Sequence, residues 1–387
     1  MTLPLKGEQI VYAANDWRTD NRTSSHHIAQ RLAVANTLLY LEAAGQRTPR
    51  ASGRDLSRIL SRLWKALKKP REVEQNVFVL SPLILPFHRY GWVRRLNHWL
   101  LNLWVRRACA TLGFQTPIVW MTIPHYGSIM DTVNSKGIVY YCTDDFASFP
   151  NTDRRSIEVM ERRILSKANV VFAVSESLVE SKRRLNPNTY FSPHGVDTAH
   201  FRKASLEDTP VPSDISRIRR PIAGFFGLIE TWFDLELLKH CATKLTDVSF
   251  VLIGRTTQNI ADVETLPNVH FLGQKPYETI PNYLKAFDVG LIPFKLNDTV
   301  LHSNPLKFKE YLAGGKPIVS VKINVFEKYK ELAHLADSYE DFASCIRVAI
   351  EEDSPSKTRA RISAMEGESW DAKFEDIAQR VRIHIPC

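Results

Sequence analysis

The chain has little cysteine. Its five residues, Cys109, Cys142, Cys241, Cys345 and Cys387, are scattered, odd in number and never spaced as a CxxC pair. That spacing argues against a disulfide framework and a zinc site, and for a reducing compartment. Long apolar runs are also missing: none reaches the length that crosses a bilayer. The N-terminal MTLPLKGEQIVYAANDW does not read as a signal peptide, so a cytoplasmic protein is expected. There is no low-complexity tail and no recognisable nucleic-acid motif, so nucleic acid is not an expected partner. One segment, HRYGWVRRLNHWLLNLWVRR at 88–107, contains no acid at all.

What is present is an ordinary soluble composition with an excess of base. Of 387 residues, 44% are hydrophobic and 24% charged, and the net charge is +9. Mean hydropathy is −0.22 and the isoelectric point about 9.2. Such a length predicts two domains with substantial cores. Such a charge invites anionic partners, a phospholipid surface or a nucleotide diphosphate.

Short apolar runs alternate with helical stretches along the whole chain. Ile10–Ala14, Val77–Leu80, Ile118–Met121, Ile138–Cys142 and Val170–Val174 predict strands, and His26 to about Ala44 predicts a helix. After the polar, proline-containing 201–220, expected to be the interdomain linker, a second series begins. It predicts strands at Ile222–Phe226, Phe250–Ile253, Val269–Leu272, Val289–Pro293 and Pro317–Val321, with helices between them. Alternation of this kind implies an α/β protein made of two doubly wound, Rossmann-like domains facing across a cleft. The expected boundaries are 1–202 and 203–370, with 371–387 a helix that crosses back to the first domain.

The segment SNPLKFKEYLAGGKP, at 303–317, carries the most chemistry. Asn304 suits an N-cap, Pro305 the first helical position, and Gly314–Gly315 the C-terminal cap. Lys307 adds a cation to a helix end that is already positively polarised, which makes sense if an anion docks there. Ser303, Asn304 and Lys307 would then cradle a diphosphate, and Glu310, one turn on, would take the hydroxyls of a ribose. The alternative is a surface Lys–Glu pair. Gly227 ends the second series' first strand, where it admits either a ligand phosphate or a plain tight turn. Arg255 follows the next strand. Tyr277 closes a GQKPY loop that could clamp a base.

In the first half, VYYCTDDFASFP puts Asp144 and Asp145 directly after a strand. A carboxylate there could take a proton from an acceptor hydroxyl, cap a turn, or join further ligands around a metal. The loop NDWRTDNRTSSHH holds Asp16, Trp17, Arg18 and His26, a polar set suited to a hydroxyl-rich acceptor. In the acid-free segment, Trp92, Leu96, Trp99 and Leu103 fall on one helical stripe beside Arg95. Tryptophan with arginine suits an anionic membrane interface; a core-packed helix with basic outer residues is the alternative.

Together these pieces resemble the GT-B nucleotide-sugar glycosyltransferases. SNPLKFKEYLAGGKPIVS resembles that superfamily's donor-site helix, FSPHGVDTAHF its HGVD element, and FDVGLIPF a typical strand. NDWRT and VYYCTDD resemble the membrane-associated glucuronosyltransferase of xanthan assembly and related exopolysaccharide and teichuronic-acid enzymes. The resemblance implies transfer of a sugar from a nucleotide-sugar donor to a saccharide or polyprenyl-linked acceptor, at the inner face of the plasma membrane. It places the diphosphate on Lys307, the ribose on Glu310 and an inverting base on Asp144, with no metal and no cofactor. Retaining relatives carry an arginine and then a lysine after the glycine matching Gly227. Here the run is LIETWFDLE, which weakens a retaining assignment. An epimerase of the same architecture and a non-catalytic scaffold are the alternatives.

Overall fold

The computed structural model describes residues 5–17, 23–42, 69–82, 91–148, 152–297, 300 and 305–386, with the side chain of Arg94 excepted. It divides into two compact units, Met1–Pro193 with Lys373–Cys387, and His194–Ala372. The division therefore falls ahead of residue 203.

In the first unit eight strands form one sheet. In chain order they are β1 (Gln9–Ala14), β2 (Thr37–Glu42), β3 (Arg71–Glu74), β4 (Val77–Leu80), β5 (Ile118–Met121), β6 (Gly137–Cys142), β7 (Val170–Ala173) and β8 (Thr189–Phe191). Their spatial order is β3-β4-β2-β1-β5-β6-β7-β8, parallel throughout except for the β3–β4 pair. The strand order reverses between β1 and β5. Strands buried on both faces read as continuous apolar runs, which is why QIVYAA and GIVYYC were legible as strands. The expected helix over 26–44 is corrected. The helix covers only Ser24–Ala33, and TLLYLE at 37–42 is β2. Asn36 breaks the helix, its amide donating to Leu32 O and its carbonyl accepting from Glu8 N–H. Leu38 to Leu41 are all fully buried, as a central parallel strand requires and one helical face does not.

The second unit's sheet has six parallel strands. They are β9 (Ile222–Phe226), β10 (Ser249–Ile253), β11 (Val269–Gly273), β12 (Val289–Ile292), β13 (Ile318–Val321) and β14 (His334–Ala336). The order β11-β10-β9-β12-β13-β14 is that of a dinucleotide-binding fold, with its switch point between β9 and β12. The expected linker at 201–220 is also corrected. Helices form at Thr198–Arg202 and Ser213–Ser216, and Phe201, Ala204 and Ile215 are buried in this unit's core. Apolar residues spaced among charged ones anchored a segment whose mean composition is polar.

The final helix, Trp370–His384, starts in the second unit and ends in the first. In the first unit His384 Nε2 lies 2.8 Å from the Tyr190 hydroxyl, and Arg380 sits 4.4 Å over the Tyr190 ring.

The helix Leu306–Ala313 is held onto the second sheet by Tyr311. Its ring lies against Gly290 of β12, where a Cβ would come within 2.8 Å of it. Its hydroxyl donates to Leu291 O (3.3 Å) and accepts from Phe226 N–H (3.4 Å). Gly290→Ala should therefore overpack this contact and lower unfolding free energy by about 1–3 kcal/mol, measured by urea denaturation.

Candidate functional site

The second unit brings the helix Leu306–Ala313 and the ends of β9 and β10 together beside its switch point. The helix Leu306–Ala313 begins after Pro305, which serves as N-cap, so helical geometry starts one residue later than expected. Ser303 and Asn304 lie outside the described residues. Lys307 Nζ meets Glu310 Oε2 at 2.6 Å, a pairing one turn apart. The ammonium also stands 4.6 Å over the Phe226 ring, at the end of β9. Glu310 is nearly buried, its side chain 10% exposed, whereas that of Lys307 is 26% exposed. A pair in surface water contributes little. Here the carboxylate lacks water, and the lysine is what offsets its burial.

Gly227 sits beside this pair. Its φ is +146°, and a Cβ there would stand 3.1 Å from Lys307 Cε. The glycine thus makes room for the lysine's own stem. Gly254, at the end of β10 with φ +152°, abuts the Gly227 carbonyl, where any side chain would collide. The pair of glycines leaves the ends of β9 and β10 without side-chain cover. Arg255 follows directly and is exposed, its carbonyl accepting from Ile229 N–H (3.0 Å). Tyr277 is half-buried and stacked on His200, with ring centroids 4.3 Å apart, while its carbonyl meets His200 Nε2 at 3.0 Å. Burial lowers the His200 pKa, leaving an uncharged stacking partner.

Lys309, on the same helix, is buried and points elsewhere. Its ammonium donates to His194 O and to Glu368 Oε2, both at 2.7 Å. His194 is the first residue of this unit, and Glu368 lies four residues before its end. Sequence reasoning passed over Lys309, because nothing local separates it from Lys307.

In the first unit, Asp16, Trp17 and His26 gather at the end of β1; Arg18 lies outside the described residues. His26 Nε2 donates to Asp16 O (2.9 Å), and Nδ1 accepts from Thr23 N–H (3.1 Å). The imidazole thereby caps its own helix and fixes the loop, so its two nitrogens are committed to structure. Trp17 packs edge-on to Tyr40, with centroids 4.8 Å apart, and its N–H donates to Glu42 Oε1 (3.0 Å). Glu42 also accepts from the Ser81 hydroxyl. This carboxylate sets the Trp17 backbone, and only the folded sheet reveals it.

Asp144 follows β6. Its side chain is exposed, yet the surrounding protein removes enough water to lift its carboxyl from the ordinary aspartate value to about 6. Asp145 opposes and assists: its N–H, 3.0 Å from Asp144 Oδ1, favours the charged form, and its carboxylate disfavours it. Asp145 itself accepts from the Ser148 hydroxyl at 2.5 Å, a turn-closing bond. Asp144 and Asp145 lead into the short 3-10 turn Phe146–Ser148, and the helix after it is capped by Asp153, which accepts from Ser156 N–H. Among the described residues no three His, Cys, Asp or Glu side chains come together as a metal site.

Of the acid-free segment, residues 91–107 belong to the helix Gly91–Leu112, and 88–90 lie outside the described residues. Val93, Asn97, Leu101, Val105 and Ala108 face the core. Trp92 and Trp99 are 65% and 61% exposed, and Leu103 is 49% exposed. Arg95 shares that outer face and is exposed too. The tryptophan stripe is therefore on the outside. No helix among the described residues is long and apolar enough to cross a membrane.

Residues 215–352 match the family described as Glycosyl transferases group 1. That stretch is a group 1 glycosyltransferase domain. The whole chain has the GT-B fold. Sucrose-phosphate synthase from Thermosynechococcus elongatus superposes with a TM-score of 0.65 at 15% identity, over 97% of this chain and 98% of that one. Anabaena HepE in complex with UDP-glucose gives 0.63 at 13% identity, over 97% and 99%. In sequence the chain is similar to TuaH of Bacillus subtilis (strain 168), named as a teichuronic acid biosynthesis glycosyltransferase, at 23% identity over 95% of both chains. Lys307, Glu310, Gly227 and Arg255 all fall within the group 1 domain, and Asp144 lies in the other half of the GT-B chain.

The crowding of Asp144 gives a direct expectation. In Asp-selective carbon-13 NMR, one carboxyl should titrate near pH 6 and vanish in Asp144→Asn.

Proposed function

We propose that this GT-B chain transfers a sugar from a nucleotide diphosphate sugar to a hydroxyl of a saccharide or lipid-linked saccharide in cell-surface polysaccharide synthesis, with inversion. The observation that carries the donor half is the Lys307–Glu310 pair beside Gly227 at the sheet's switch point. Ligands in doubly wound sheets bind where strand order reverses, at helix N-termini that welcome phosphate. On binding, Lys307 turns to the diphosphate and Glu310 takes the ribose hydroxyls. Arg255, exposed at the next strand end, adds charge to the same rim.

Asp144 serves as general base. With its carboxyl near 6 it is mostly ionised at neutral pH, yet more basic than an ordinary aspartate. It accepts the acceptor's proton as that oxygen attacks the anomeric carbon from the face opposite the diphosphate. Negative charge growing on the leaving group meets Lys307 and the helix-terminal amides, so the reading needs no metal. One such donor is worth about 3–4 kcal/mol, and general-base help a further 10²–10⁴-fold or so. Trp17 and Asp16, set by His26 and Glu42 at the first sheet's own switch point, hold the acceptor. Similarity to TuaH, by its name a teichuronic acid enzyme, supports a polymer-building acceptor.

The test starts with thermal shifts against UDP-, GDP-, ADP- and dTDP-sugars. One class should stabilise the wild type and Asp144→Asn alike, and fail to stabilise Lys307→Ala or Glu310→Ala. With that donor and a polyprenyl-linked saccharide, Asp144→Asn should lose about two to four decades of turnover. Stabilisation by no nucleotide sugar, or wild-type turnover in Asp144→Asn, defeats the reading. Product made from donor alone would favour an epimerase.

The exposed Trp92, Arg95, Trp99 and Leu103 face supports a peripheral seat on an anionic membrane at the cytoplasmic side. Indole rings rest at headgroup depth and arginine meets lipid phosphate. Trp92→Ser with Trp99→Ser should cut sedimentation with phosphatidylglycerol vesicles several-fold without changing the melting temperature. Undiminished sedimentation rules out this face.

A further inference from the structure

Beneath Asp144 lies a buried polar cluster for which transfer chemistry gives no direct use. Glu161, on the helix Arg154–Leu165, accepts from the Tyr140 hydroxyl (2.8 Å) at Oε1 and from Lys182 Nζ (2.6 Å) at Oε2. Glu161 and Lys182 are each 8% exposed, and Tyr140 and Cys142 are fully buried. An ion pair placed so deep gains little over apolar packing, so its presence asks for a reason other than stability.

Its neighbour supplies one. Cys142 Sγ stands 3.6 Å from Glu161 Oε1 and 3.3 Å from the carbonyl oxygen of Asp144. On the other side of that same peptide, the Asp145 N–H donates to Asp144 Oδ1 (3.0 Å). With the one thiol proton on the nearer acceptor, the Asp144 carbonyl, the peptide between Asp144 and Asp145 is gripped at both ends, by the thiol on its oxygen and by the carboxylate on its nitrogen. Were the plane to rotate, the N–H would swing off the carboxylate.

We propose that the Cys142 thiol, braced by Glu161, Tyr140 and Lys182, fixes the Asp144–Asp145 peptide plane and through it the carboxylate of Asp144, making Cys142 and Glu161 positioning residues for the base. The inference rests on the reading of Asp144 as that base.

The thiol suits this use. Burial, with the Glu161 charge next, pushes it up to about 12, so it stays protonated and able to donate. Among the described residues, Asp145 acts on Asp144 directly, Glu161 and Lys182 act on Cys142, and Arg154 and Lys182 act on Asp145. A Cys142 variant alters none of them. Sequence alone assigned Cys142 no role of its own, although it ends a predicted strand and lies within VYYCTDD.

The measurement is the Asp144 carboxyl titration, followed by carbon-13 NMR in the full chain without substrate. In Cys142→Ala the thiol donor is gone and the peptide is free to turn. Losing the Asp145 N–H, which favours the charged form, should raise the titration by about half to one pH unit. Cys142→Ser, which keeps a donor, should restore the wild-type midpoint. Cys142→Val fills the space without donating and should behave as Ala does, should the smaller side chain leave the strand unstable. A midpoint unchanged in folded Cys142→Ala or Cys142→Val overturns the proposal. Wild-type turnover in Asp144→Asn would instead remove the base assignment, whatever the titration shows.

Discussion

The second unit depends on how closely one helix can approach one sheet. Tyr311 reaches the backbone of β9 and β12 because Gly290 has no side chain, and the helix Leu306–Ala313 is seated on the sheet there. On the seated helix, Lys307 lies over Phe226 and against Gly227. Each step is steric, and each trades side-chain volume for proximity. Three missing side chains, at Gly227, Gly254 and Gly290, let a lysine, a carbonyl and a ring come near.

The first unit solves a different problem, that of holding polar groups at strand ends without letting them collapse onto one another. Glu42 divides its two oxygens between Trp17 and Ser81, and His26 spends both nitrogens on its own loop. Asp144 keeps its carboxylate outward while the atoms behind it are tied down. Rigid polar scaffolding under a working group is the usual arrangement where geometry matters to better than an ångström.

Much of this was legible before folding. Parallel strands buried on both faces print themselves as unbroken apolar runs, so β1, β5, β6, β9, β10 and β12 stood out. The spacing of Lys307 and Glu310 on a capped helix is local and was equally plain. TLLYLE was not, since an apolar run of four between Thr37 and Glu42 suits strand or helix alike, and only the sheet's demand for a strand beside β1 decides it. The anchoring of Phe201 and Ile215 was hidden by charged neighbours. Glu42, Glu161 and Lys309 were invisible because what distinguishes them is a partner between 21 and 115 residues away. His26 read as an acceptor contact, and the bonds of its two ring nitrogens to Thr23 and Asp16 were not visible in the sequence.

The Lys307–Glu310 pair has one more consequence. Whatever draws the ammonium away leaves a nearly buried carboxylate unneutralised, and whatever occupies the carboxylate alone leaves the ammonium without a counter-ion. Orthophosphate or a bare nucleoside satisfies only one of the two and bears the cost of stranding the other. A molecule carrying both an anion and a vicinal diol at the right separation satisfies them together. On the proposed donor reading, the pair would favour a molecule that answers both charges over a fragment that answers one.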